Sequence, residues 1–185
     1  PDLSASAHFS IARAAVAAGL GTDAVVHIRT DAHGRMDVRE LERMCAEMQA
    51  DAAHPQGVPL IVCATSGTTV LGAFDDVAAI AEVCRKYDLW LHVDASWGGA
   101  AAFLPHDAPE RSVLAGLENA HSITINPHKL LGVTHQCSFL LVHDKSVLIP
   151  PSHSDGGYLF HVPAEDALDM ATKTLGCGRR GDALK

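Results

Sequence analysis

Short apolar runs alternate with amphipathic helical segments along most of the chain. Three segments have the spacing and capping residues of helices: alanine-rich residues 10–18, residues 37–50, and a segment from Asp75 or Asp76 through Lys86. The predicted strands are the apolar or β-branched runs at residues 24–29, 60–64, 89–94, 122–125 and 138–142. We expect residues 60–64, which are apolar without interruption, to be buried on both faces of a sheet.

Strands that alternate with helices predict an α/β fold, with a mostly parallel sheet flanked by helices in three αβα layers. In such sheets the ligand lies beyond the carboxyl ends of the strands. Three places end a predicted strand or directly follow one: the hydroxyl-rich loop 65–69, Asp94, and residues 126–129. These are therefore the candidate site positions.

Composition narrows the class of protein. The 185 residues carry 14 basic and 22 acidic side chains, a formal charge of −8, which argues against nucleic acid or an anionic membrane as partner. The five cysteines are scattered without a CxxC pair, so a disulfide framework or zinc ribbon is not expected. No uninterrupted apolar run reaches the length of a membrane span. We expect a cytoplasmic protein that binds no metal.

Asp94 and Lys129 carry the most informative chemistry. Each follows a predicted strand, and Lys129 precedes the apolar residues 130–131. Taken singly, Asp94 reads as a capping residue and Lys129 as a surface lysine. Together they match what pyridoxal 5′-phosphate (PLP) requires, an amine that binds its aldehyde and a carboxylate that keeps the pyridine nitrogen protonated.

Four sequence blocks carry a family resemblance. They are AHFSIARAA at 7–15, ATSGTTVLGAFD at 64–75, HVDASWGG at 92–99 and NPHK at 126–129. In this order they resemble the group II PLP-dependent amino-acid decarboxylases, which include the glutamate, cysteine sulfinate and aromatic amino-acid decarboxylases. The resemblance implies the large domain of fold-type I PLP enzymes and a carboxy-lyase activity.

The resemblance also implies roles for individual residues. Lys129 would carry the cofactor, His8 and Ala95 would pack on opposite faces of its ring, and Tyr158 would protonate the α-carbon after carbon dioxide leaves. The implied catalytic residues are thus Lys129, Tyr158 and His8. The implied cofactor-binding residues are Lys129, Asp94, His8, Thr69, Ala95, Asn126 and His128.

The same resemblance suggests a domain organisation and a substrate. Residues 1–149 would belong to the PLP-binding large domain, 150–166 to a mobile catalytic loop and 167–185 to the truncated start of a helical segment. We expect an acidic L-amino acid as substrate, glutamate first and cysteine sulfinate or aspartate next. We also expect a homodimer in the full-length protein and no activity from this piece alone.

Three alternatives stay open. Twelve histidines could indicate a metal hydrolase, although they lack HxH and HExxH spacing. A non-catalytic binding module is a second possibility. Within the enzymes, decarboxylation of an aromatic or other amino acid, or another fold-type I reaction such as transamination, would use the same Lys129 and Asp94.

Overall fold

The computed structural model describes residues 7–51 and 57–148. The chain divides into two compact units, residues 1–141 and 142–185. The helices are α1 Ser10–Ala17, α2 Val38–Ala50 and α3 Val77–Tyr87, and the strands are β1 Ile61–Thr65, β2 Trp90–Asp94, β3 Ser122–Ile125 and β4 Phe139–Val142. Short 3-10 helices lie at Thr22–Ala24, Gly98–Phe103, Pro109–Leu114, Leu117–Asn119 and, in the second unit, Lys145–Leu148.

The three predicted helices form where capping residues and apolar spacing place them. Asp37 begins α2 by accepting hydrogen bonds from the backbone N–H groups of Arg39 and Glu40, at 3.0 and 3.2 Å. Asp76, rather than Asp75, caps α3 by accepting from Ala79 N at 3.0 Å. Helix α3 packs against β1 and β2, and α2 packs against α3. Leu41, Cys45, Ile80 and Cys84 are among the buried residues of these helices.

The four strands form one sheet in the order β1-β2-β3-β4, in which β1 pairs with β2, and β2 with β3, in parallel. Val62, Ala64, Leu91 and Val93 are buried in the core. The residues that alternate with them belong to the opposite face and include Thr65, His92 and Asp94. Because parallel strands in register place equivalent residues side by side, this second face gathers the candidate chemistry.

Two predictions about strands were wrong in detail. Residues 24–29 do not form a strand: Ala24 ends a 3-10 helix, residues 25–29 have no regular secondary structure, and the neighbouring bridge, Thr30 with Met36, is isolated. β-branched residues favour extended backbone, but a strand also needs a neighbouring strand to pair with. The start of β1 is not buried on both faces, since Leu60 and Ile61 are 71% and 53% exposed. β1 is the outermost strand of the described sheet.

Asp75 has a different role from capping. Its side chain is buried, and its two oxygens accept hydrogen bonds from Met36 N at 2.6 Å and Thr65 N at 2.7 Å. Burial raises the pKa of Asp75, while the two backbone donors act in the opposite direction. One carboxylate thus ties the segment before α2 to the end of β1.

We expect Asp75→Ala to lower the free energy of unfolding of the full-length protein by about 2–6 kcal/mol, because each buried N–H left without an acceptor costs about 1–3 kcal/mol. Denaturant unfolding would measure it. Asp76→Ala is the matched control, since loss of a helix cap costs only about 0.5–2 kcal/mol. Equal losses in the two variants would contradict the role of Asp75.

Candidate functional site

The carboxyl ends of the three parallel strands form one edge of a cavity of about 240 Å³. Thr65, Asp94 and Thr124 end or nearly end β1, β2 and β3 and are partners in register. Their side chains therefore lie in a row, with the carboxylate between two hydroxyl groups. All three line the cavity.

Five of the eight predicted site residues meet in this cavity. The predicted residues that line it are His8, Thr69, Asp94, Asn126 and Lys129. Ala95 and His128 do not line it, and Tyr158 lies outside the described residues. Segments far apart in the sequence thus converge at one place.

Asp94 is held by the loop that follows β2. Its Oδ1 accepts a hydrogen bond from Ser96 N at 3.0 Å, which fixes the plane of the carboxylate. Among residues 7–51 and 57–148, Asp94 forms no ion pair. The negative charge is therefore available to a cationic group of a ligand.

Lys129 enters the cavity from the turn after β3. Its backbone N–H donates to Asn126 O at 3.0 Å, which closes this turn. The Nζ atom lies 5.5 Å from the centroid of the Trp97 ring. Within the described part of the chain, no carboxylate forms an ion pair with Lys129.

Asn126 presents an unpaired acceptor. Its Oδ1 is buried and has no hydrogen-bond partner among the described residues, and the residue lines the cavity. A buried acceptor without a donor is unfavourable by about 1–3 kcal/mol. A ligand that brings an N–H or O–H group would remove this cost.

His8 lies two residues before the start of α1. Its Nδ1 is 2.9 Å from Ser10 Oγ and accepts from Ser10 N at 3.3 Å. The ring also contacts Phe9, with centroids 4.1 Å apart. These contacts orient the imidazole in the cavity wall.

The two predicted residues outside the cavity have other surroundings. Ala95 is fully buried, and its neighbour Ser96 lines the cavity instead. The Nδ1 of His128 lies 2.6 Å from Cys137 O and 3.1 Å from Cys137 N, which joins the two ends of the segment between these residues.

Sequence reasoning missed several cavity residues. They include Ser10, His92, Ser96, Trp97, Thr124 and Ser138. The signal was present for two of them: His92 is two residues before Asp94, and Thr124 two before Asn126. In a strand, residues two apart share a face.

His92, two residues before Asp94 on β2, belongs to a hydrogen-bonded group with Ser122 and Trp90. Its Nδ1 lies 2.8 Å from Ser122 Oγ, which also accepts from Trp90 Nε1 at 2.9 Å. Burial lowers the pKa of His92, and the negative charge of Asp94 acts in the opposite direction. The folded protein therefore favours a neutral imidazole here.

This lowered pKa predicts a pH effect on stability. The unfolded chain binds a proton at His92 more readily than the folded chain, so stability should fall as pH drops below the usual histidine pKa of about 6.5. In His92→Gln, the drop in melting temperature of the cofactor-free full-length protein between about pH 7.5 and about pH 5.5 should be smaller than in wild type. His106→Gln, at an exposed histidine, should leave the drop unchanged. Identical drops in all three proteins would contradict the buried, neutral state of His92.

Residues 7–51 and 57–148 contain no group of three or more His, Cys, Asp or Glu side chains placed to hold a metal ion. Within the same residues, no helix has the length and apolar character needed to cross a bilayer.

Comparison with known proteins places the chain among decarboxylases. The family model described as the pyridoxal-dependent decarboxylase conserved domain matches residues 3–185. The L-aspartate decarboxylase dtxS4 of Metarhizium robertsii is 44% identical over 179 residues, which are 96% of this chain and 34% of that protein. Human cysteine sulfinic acid decarboxylase is 46% identical over 181 residues, 96% of this chain and 35% of that protein.

A solved structure shows the same fold. The crystal structure of mouse CSAD superposes with a TM-score of 0.79 at 44% identity, covering 97% of this chain and 36% of that one. This match confirms the predicted α/β fold. The chain spans about a third of the length of the curated relatives it matches.

Proposed function

Because the chain belongs to the pyridoxal-dependent decarboxylase family, we propose that the full-length protein is a PLP-dependent carboxy-lyase that acts on an acidic L-amino acid. The observation that carries the proposal is the convergence of Lys129, Asp94 and the unpaired Asn126 oxygen in one cavity at the carboxyl ends of the strands. The full-length protein would be a cytoplasmic homodimer.

The side chains of the cavity fit PLP. The aldehyde needs a primary amine, which Lys129 supplies, and the pyridinium nitrogen needs a carboxylate, which Asp94 supplies. Thr65, Thr69 and Ser96 add hydroxyl groups that can donate to the phosphate or the ring oxygen. When bound, the cofactor accepts the electrons left on the substrate as carbon dioxide departs.

The residues of this chain then have separate tasks. Lys129 anchors the cofactor and gives way to the substrate amine. Asp94 holds the proton on the ring nitrogen, and the Ser96 N–H keeps its carboxylate in place. His8 packs on one face of the ring. Residues 95–96 adjoin the other face, where we assign the contact to Ser96 because it lines the cavity.

Three further assignments rest on the family resemblance. Thr69, which lines the cavity, contacts the cofactor, and His128 lies beside its phosphate. Tyr158 returns a proton to the α-carbon after carbon dioxide leaves, as a phenol O–H can do when positioned within hydrogen-bond reach.

The substrate class follows the named relatives. One is an L-aspartate decarboxylase and another a cysteine sulfinic acid decarboxylase. Both substrates carry a second acidic group besides the α-carboxylate. These names favour testing aspartate and cysteine sulfinate ahead of glutamate, which the sequence alone ranked first.

The test uses the purified full-length protein loaded with PLP. We expect carbon dioxide and the matching amine from at least one of aspartate, cysteine sulfinate and glutamate, and none from tryptophan. Borohydride followed by peptide mapping should place the reduced cofactor on Lys129. A keto acid product would instead indicate transamination, and absence of cofactor from Lys129 would overturn the proposal.

A further inference from the structure

An aromatic ring faces the reactive lysine. The Lys129 Nζ is 5.5 Å from the centroid of the Trp97 ring, inside the distance of about 6 Å at which a cation is attracted to an aromatic face. Both residues line the cavity. Trp97 is 37% exposed, and Lys129 is partly buried.

The backbone around Trp97 is fixed by close contacts. Gly98 N donates to Ser66 O at 3.0 Å. A Cβ on Gly98 would collide with Phe74 and with that oxygen, and a Cβ on Gly67 would lie 2.7 Å from Gly98 N. Because both glycines are needed for this approach, the position of Trp97 beside the cavity is set by the main chain.

We propose that the Trp97 ring holds the Lys129 ammonium whenever the lysine is not covalently joined to the cofactor, so that Trp97 is a positioning residue for exchange of the lysine with an incoming amine. This inference rests on the proposed function. It adds a residue that acts through Lys129.

The exchange explains why such a partner is useful. An incoming ammonium ion would take the place of the Lys129 nitrogen on the cofactor carbon, and its N–H hydrogens would pass to the lysine nitrogen as that nitrogen gives up its double bond to carbon. Lys129 would then be released inside the cavity as an ammonium ion, with no net gain or loss of protons. Asp94 is needed by the ring nitrogen, whereas an indole attracts the cation without adding a negative charge that would compete.

The probe is semicarbazide, a small nitrogen nucleophile whose reaction does not depend on the identity of the substrate. It replaces Lys129 on the cofactor, and absorbance reports how much lysine has been released. In Trp97→Leu, the half-saturating concentration should rise about 2- to 30-fold, which corresponds to the usual strength of a cation–π contact. Trp97→Phe should give a smaller rise, because a phenyl ring attracts cations less strongly than indole.

Phe103→Leu is the matched control. Phe103 is an exposed aromatic residue at the end of the 3-10 helix Gly98–Phe103, which begins directly after Trp97. It does not line the cavity. Its replacement should leave the half-saturating concentration unchanged. Thermal unfolding of the cofactor-free forms checks that each variant folds, and if Trp97→Leu does not fold, Trp97→Phe against wild type decides the question.

The outcomes distinguish an error in the proposed function from an error in the inference about Trp97. If wild type does not bind PLP at Lys129, the proposed function is wrong. If wild type binds PLP and the Trp97 variants match it in half-saturation, or Phe103→Leu rises as much as Trp97→Leu, the inference about Trp97 is wrong while the proposed function stands.

Discussion

Lys129→Ala in the full-length protein is expected to lower kcat by at least about 10³-fold and to abolish fixation of PLP by borohydride. Lys129 lines the cavity beside Asp94 and has no ion-pair partner among the described residues. Alanine removes the amine that anchors the cofactor. Noncovalent PLP should still bind, because Asp94 and the hydroxyl groups remain.

Two measurements check this expectation. Decarboxylation is followed by carbon dioxide release, and covalent attachment by mass spectrometry after borohydride. Lys145→Ala, at an exposed lysine in the second unit, is the control and should retain both properties. Borohydride-fixed cofactor in Lys129→Ala would mean that another lysine carries it.

Most of the fold could be predicted from the sequence because its elements have strong local signals. The run 122–125 forms β3 with the predicted bounds, and the Asp37 cap begins α2. The predicted strand at residues 24–29 was wrong because strand formation depends on pairing with a neighbouring strand, and a local sequence pattern does not show that neighbour. The sequence also could not decide between Asp75 and Asp76, since only the fold brings Met36 N and Thr65 N to Asp75.

The candidate site was predicted in part, for a similar reason. Residues that end a strand or directly follow it, such as Asp94 and Asn126, can be located from the order of elements alone. The partners across strands cannot, because Thr65, Asp94 and Thr124 become neighbours only through the register of three parallel strands. The contact of Trp97 with Lys129 joins two loops, so no sequence spacing reveals it.

Asp94→Asn is the second change with a large expected effect. It should separate anchoring of the cofactor from electron withdrawal, which Lys129→Ala cannot do. The amide has nearly the shape of the carboxylate, and its oxygen can still accept from Ser96 N, the hydrogen bond that holds this loop at 3.0 Å. It lacks the negative charge that keeps the ring nitrogen protonated. We therefore expect PLP to remain fixed to Lys129 by borohydride, while kcat falls by about 10²–10³-fold, the usual cost of losing one preorganised electrostatic contact.

Comparing kcat and covalent attachment in the two variants distinguishes the roles of Asp94 and Lys129. Loss of kcat with retained covalent attachment in Asp94→Asn, against loss of both in Lys129→Ala, would assign anchoring to the lysine and electron withdrawal to the aspartate. Asp107→Asn, at an exposed aspartate, controls for loss of a surface charge and should keep wild-type kcat. The expectation is contradicted if kcat of Asp94→Asn stays within a factor of about 10 of wild type, a difference of only about 1.4 kcal/mol in activation free energy. Another group would then hold the ring proton, and Asp94 would serve mainly to order the Ser96 loop.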